Sequence, residues 1–324
     1  MADNWELIGQ SSTSPRSNTN RAVVSTKVPK TENIIFIGSE FEYNNFWLKN
    51  MFIAAAYPFI KNRRKFRACD KVTIAYVDYG YTRLEKLAIE GLKNEIEFTD
   101  NIIFVALKTK SKIIELLNAN RENYKIKDLA FFCHGLNGKI TLNYSARPNI
   151  DLTTSDINSI GNTNFLSSAK ASSYACRTGM ADSVTLRTQG SFDDISEADP
   201  DNSFAQLFAN RHNIDFYAFH KRTLYSNILN PKDDAEKIAE DLKNKRKTNS
   251  IDVISILENY EALTHPELGE GYKNMWGWIP RGAVSEGTVG YSLWRKGGGL
   301  KIPVAASTPT GLPSIMTRLD LLQK

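Results

Sequence analysis

The chain has 324 residues, 41% of them hydrophobic, so it can bury a sizeable core as one large domain or two ordinary ones. A formal net charge of +5, from 41 basic and 36 acidic residues, is too mild to imply nucleic acid by itself. Three scattered cysteines, Cys69, Cys133 and Cys176, exclude a disulfide framework or a zinc cage and fit a reducing compartment, although an exported toxin would look the same.

The first residues, MADNWELIGQ, lack a basic segment leading into an apolar one, so no signal peptide is expected. The longest apolar run, MFIAAAYPFI, is half the length of a spanning helix and holds Pro58, so no membrane span is expected either. A cytoplasmic protein, or one exported without a cleavable signal, fits both observations.

Residues 1–30, rich in Ser, Thr and Asn, read as a flexible tail. A pattern of strands and helices begins at Glu32. NIIFIG (33–38) is a short β-branched strand, followed by an aromatic, helix-like stretch to about Ile60. KVTIAYVDYG (71–80) is a second strand and RLEKLAIEGLK (83–93) its helix. NIIFVALK (101–108) leads into SKIIELLNANREN (111–123), a helix with Ser111 as its expected N-cap. KDLAFFCHG and AKASSYACRTG (169–179) are further strands; SFAQLFANRHN (203–213) reads as a helix and IDFYAFH (214–220) as a strand. This alternation predicts an α/β catalytic domain over 31–225: a mostly parallel sheet with helices on both faces. Residues 226–324 form an extension, with two charged helices over 231–263 and then Gly-, Pro- and Trp-rich hairpins and loops, packed on the core.

In such sheets function collects at the carboxyl ends of the strands. His134 and Cys176 both stand at such ends. Side chains alternate along a strand, so Phe131 and Cys133 face one side, in the core, while Phe132 and His134 face the other. A thiol beside an imidazole is an activated nucleophile for attack on a carbonyl, and the resulting oxyanion needs preorganised donors. The backbone N–H groups of Gly135 and Cys176 are the candidates.

FFCHG followed by SSYACRTG resembles the caspase-like cysteine peptidases, the clan that also holds metacaspases, gingipains and legumains. The order is right, and the 42 residues between His134 and Cys176 approach the separation of about 50 seen in caspases. The resemblance implies a caspase-like fold with His134 as base, Cys176 as nucleophile, and Gly135 with the Cys176 amide as oxyanion donors. The caspase signature differs in having Gln before Ala-Cys and Gly two places after Cys, where this chain has Tyr174 and Thr178. One strand more than a minimal caspase unit also precedes the His strand. SFAQLFANRHNIDFYAF and VAASTPTGLP look like caspase-fold domains of bacterial secreted toxins.

Competing readings are weaker. HGLNG resembles the His-Gly loop of α/β-hydrolases, but no G-x-S-x-G elbow accompanies it. Zinc on Cys133, His134 and Cys176 would need neighbours on opposite faces of a strand to converge. His212, His220 and His265 read as surface or structural residues, and GSE after the first strand as a turn. The basic stretches KNRRKFR and KNKRK read as solvated helix ends, so nucleic acid is not an expected partner. Between Asp182 and Asp201 six acids face one base, Arg187, which fits a pocket or processing loop or a solvated one, with calcium as a candidate ligand of its carboxylates.

The expected function is therefore a cysteine endopeptidase acting on protein or peptide substrates without a cofactor. Asp182 would favour Arg or Lys before the scissile bond. A catalytically silent caspase-like assembly module, and a secreted bacterial effector using the same dyad for another acyl transfer, are the alternatives. An effector of that kind would pair with an immunity or regulatory protein.

Overall fold

The computed structural model describes residues 28–41, 51–53, 55–56, 68–79, 101–144, 148–184, 190–225, 303–306, 308–313 and 316–319. The helix expected over 83–93, the paired helices of 231–263, the Trp276, Trp278 and Trp294 group and His265 lie outside these residues. So does the tail up to residue 27.

Seven strands make the central sheet, in the order β12-β9-β8-β4-β1-β2-β3. They are β1 (Lys30–Ile37), β2 (Lys71–Val77), β3 (Ile102–Leu107), β4 (Tyr124–Phe132), β8 (Phe165–Ser173), β9 (Asp215–Ala218) and β12 (Thr317–Leu319). Every neighbouring pair is parallel except β12 with β9, which is antiparallel. The fold is thus α/β with a mostly parallel mixed sheet. Three strands precede β4, the strand that leads to His134, and the third of them, β3, lies at the edge.

Most of the apolar runs form strands with both faces buried, while β3, at the edge, keeps Ile103 exposed. Ile34, Phe36, Leu129, Phe131, Ala171 and Phe216 join one core cluster, to which α1 (Lys110–Asn118) adds Ile113 and Leu117 and α2 (Phe204–His212) adds Phe204 and Phe208. Phe131 stacks between Phe36 at 5.0 Å and Phe216 at 6.5 Å. On the opposite face Ile35, Ile37, Ile74 and Phe132 are equally buried, and Phe132 stacks on Tyr174 at 4.7 Å. Residues 51–53 and 55–56 are helical. Among the described residues no helix is long and apolar enough to cross a membrane.

Several boundaries differ from the sequence reading. β1 starts at Lys30, inside the expected tail, because Thr31 donates both its N–H and its Oγ1 hydrogen to Asp70 Oδ2, at 2.7 and 3.0 Å. The N-cap of α1 is Thr109, whose side chain accepts from the Lys112 N–H, rather than Ser111, which lies within the first turn. α2 is capped by Ser203, whose side chain accepts from the Gln206 N–H. β4 stops at Phe132 and β8 at Ser173, so His134 and Cys176 both stand beyond the sheet.

Past β4 the chain turns into a small antiparallel sheet, β5 (His134–Leu136), β6 (Lys139–Thr141) and β7 (Asp151–Thr153). A two-stranded ribbon pairs β10 (Thr223–Leu224) with β11 (Val304–Ala305), joining segments about eighty residues apart in sequence.

Candidate active site

The carboxyl ends of β1, β4, β8 and β9 converge on His134 and Cys176. After β1, the Gly38 N–H donates to the Phe132 carbonyl (2.8 Å) and the Ser39 N–H to the Leu142 carbonyl (2.7 Å). Gly38 is required there: a Cβ would lie 2.6 Å from Cys133 Cβ. Those bonds deliver Glu40, fully buried, onto the Nε2 atom of His134. Phe52 meets the imidazole edge-on at 4.9 Å and Tyr144 at 5.2 Å. A buried carboxylate on one ring nitrogen fixes the ring's orientation. Nδ1 is then the nitrogen left for chemistry.

Cys176 is brought against this group by backbone contact. A Cβ at Gly135 would lie 3.0 Å from the Cys176 nitrogen and 2.8 Å from Ala175 Cβ, and closer still to the Cys176 carbonyl oxygen. Only glycine allows that approach, and only glycine leaves the Cys176 N–H uncovered. Among the described residues that N–H has no hydrogen-bond acceptor. The two segments stay joined further out: the Gly138 N–H donates to the Met180 carbonyl (3.0 Å) and Asn137 Nδ2 to the Val184 carbonyl (2.9 Å).

The Cys176 sulfur is not hydrogen-bonded to the imidazole. Its partners among the described residues all belong to Thr223: the Thr223 N–H and Oγ1, each 3.2 Å from Sγ, and the Thr223 carbonyl at 3.8 Å. Behind it, the Tyr225 hydroxyl donates to the Tyr174 carbonyl (3.1 Å), and Phe52 packs edge-on against the Tyr225 ring at 4.9 Å.

Cys133 joins the core cluster with Phe131, on the face expected, and burial pushes its thiol well above the ordinary range. Such a thiol is inert. Cys69 is partly buried and donates to the Lys71 carbonyl (3.0 Å). His212 and His220 are buried and structural. Burial depresses both to about 4.

Asp182 is exposed, with its backbone packed on Gly138 at the β5–β6 turn. Two of the other acids have local structural roles. Asp194 caps the turn Ile195–Ala198 by accepting from the Ser196 N–H (2.7 Å), and Asp199, itself in the left-handed region at φ 46°, accepts from Asn202 Nδ2 (2.8 Å). Among the described residues no group of three or more His, Cys, Asp or Glu is placed to hold a metal ion.

Three participants escape the sequence reading. Glu40 sits in the GSE expected as a turn, and Thr223 comes 47 residues after Cys176 with nothing periodic around it. Arg177 is the third. It directly follows Cys176, is 7% exposed, has a left-handed backbone (φ 55°) pinned by its N–H to the Lys221 carbonyl (3.0 Å), and its Nε has no hydrogen-bond partner among the described residues. Burial lowers its guanidinium below the usual arginine range.

No family model matches the chain, and no curated protein or solved structure matches it either.

Proposed function

We propose that the chain is a cysteine endopeptidase with a caspase-like catalytic arrangement, using Cys176 as nucleophile and His134 as base. The observation that carries the reading is the contact of Gly135 with the Cys176 peptide, which sets beside each other two strand ends, one bearing an imidazole already held by a buried carboxylate. The mostly parallel sheet supports it, and β3, the additional strand, lies at an edge away from the β4–β8 pair.

In this mechanism His134 takes the Cys176 proton, and the sulfur attacks the scissile carbonyl carbon. The Cys176 N–H, with Gly135, receives the oxyanion. The imidazolium, stabilised by Glu40, then protonates the leaving amine as the carbon–nitrogen bond breaks. Water activated by the same imidazole hydrolyses the thioester and frees the thiol. No step calls for a cofactor.

A preference for Arg or Lys before the scissile bond belongs to the same proposal. Asp182 supports it by its place on the loop pinned to the hairpin that starts at His134. Peptide-library profiling tests it, with the preference lost in Asp182→Ala; selection for an acidic or apolar residue would overturn it.

A second reading, a catalytically silent module of the same fold, is favoured by one observation: the sulfur is bonded to Thr223 instead of the imidazole. Reactivity separates the two. A peptidase labels at Cys176 with a thiol-directed acyl probe and cleaves a proteome-derived peptide library, and both activities vanish in Cys176→Ala and His134→Ala. Labelling without cleavage would point instead to another acyl transfer.

A further inference from the structure

We infer that Thr223 is a positioning residue that holds the Cys176 sulfur and stabilises the thiolate formed when His134 takes its proton. This rests on the reading of Cys176 as the nucleophile. The sulfur accepts from the Thr223 N–H at 3.2 Å and shares a hydrogen bond with the Thr223 Oγ1, also at 3.2 Å, in which either atom can donate. A thiol has one weak hydrogen to give and gains little from two donors, whereas an anionic sulfur accepts from both. The Thr223 carbonyl, at 3.8 Å, is the weaker partner, available only to the protonated form. Hydrogen bonds given to a sulfur favour its charged form.

The cradle is rigid for a reason outside the dyad. Thr223 pairs with Ala305 across the β10–β11 ribbon, and the two residues before it are tied down. The Arg177 N–H bonds the Lys221 carbonyl (3.0 Å), and the Ala306 N–H bonds the Arg222 carbonyl (2.8 Å). Thr223 is itself buried, so water competes little for its N–H and hydroxyl. The sulfur is thus held at Thr223 while Glu40 holds the imidazole, and the two reacting groups are positioned by different strand ends.

The test follows alkylation of Cys176 by iodoacetamide across pH, read by mass spectrometry on the Cys176 peptide of the full chain, with turnover measured in parallel. Thr223→Val keeps the β-branched shape and removes the hydroxyl donor; Thr223→Ser keeps the hydroxyl. We expect T223V to react about fivefold or more slowly at neutral pH, with its rate profile displaced to higher pH, and T223S to stay close to wild type. Should T223V fail to fold, Thr223→Ala carries the same comparison. Equal profiles for wild type and T223V would overturn the inference, as would T223S reacting as slowly as T223V. A faster T223V would mean that the residue shields the thiol, and would overturn it too. Because alkylation needs no peptide substrate, the expected pattern without any turnover would uphold the cradle and remove the peptidase reading.

Discussion

Strand β1 carries a buried glutamate near each end, and the two are treated in opposite ways. Near the amino end Glu32, with no exposed surface, accepts from Arg121 Nη1 at 2.7 Å, pairs with Lys71 Nζ at 3.0 Å and takes the Thr73 hydroxyl. Arg121 is locked in turn by the Leu116 and Leu117 carbonyls at the end of α1 (2.7 and 3.0 Å). Past the carboxyl end Glu40, just as buried, meets the imidazole of His134. Fixed cations around Glu32 make a structural anchor. The imidazole at Glu40 belongs to the proposed dyad.

The largest effects should fall at the carboxyl end. Cys176→Ala and His134→Ala are each expected to lower peptide turnover by about 10⁴-fold or more, with unfolding midpoints near wild type, since either deletion disables one chemical unit. Cys133→Ala, in the core and facing away, should keep its activity. Turnover that survives in C176A and disappears in C133A would reverse the assignment.

The amino end should break differently. Glu32→Ala leaves Arg121, 6% exposed, without its carboxylate, and is expected to cost about 3–5 kcal/mol of stability. Replacing both partners by apolar residues, as in Glu32→Met with Arg121→Met, should recover most of that loss, because no buried charge is then left unpaired. Chemical denaturation of the single and double variants decides it. A double variant as unstable as E32A would mean that the glutamate acts through something other than the ion pair.

Glu40→Gln sharpens the contrast. The amide keeps the shape and a hydrogen bond but removes the charge that stabilises the imidazolium, so turnover should fall by about 10²-fold. Stability should hold or rise, because a buried charge has been removed. An E40Q protein that unfolds early but turns over normally would make Glu40 a second Glu32.

The sequence revealed these regions unequally, and the reasons are physical. Most of the strands were legible because runs such as NIIFI and LAFF are apolar on both faces, a pattern that survives without knowledge of neighbours. His134 and Cys176 were legible as positions because each ends such a run and a glycine stands beside or near it. Glu40 was not. Glutamate is rarely buried, and nothing local marks the one that is. Its burial depends on Ser39 reaching the Leu142 carbonyl, a contact about a hundred residues away. Thr223 and the pairing of Glu32 with Arg121 are equally long-range, products of strand order and not of any periodicity.

The smallest effect concerns two histidines that, unlike His134, have no carboxylate partner among the described residues. His212 packs against the rings of Phe165 (4.6 Å) and Phe208 (4.4 Å) beside Arg211, and among the described residues neither of its ring nitrogens has a hydrogen-bond partner. His220 lies against Gly179 and bonds Thr317 Oγ1 through Nδ1 (3.2 Å). Burial lowers both from 6.5 to about 4. The folded protein therefore keeps them neutral at pH values where the unfolded chain protonates them. Stability is at its full value above about pH 6.5 and falls as pH drops from there to about 4, by at most about 1.4 kcal/mol per pH unit for each residue. His212→Phe, which suits the aromatic surroundings, should leave stability near pH 7 little changed and flatten this acid limb by close to one proton. Denaturation midpoints measured from pH 4 to 8 give the slope directly. The same slope in H212F and wild type would show that His212 takes up its proton without unfolding, and that burial alone does not hold it neutral.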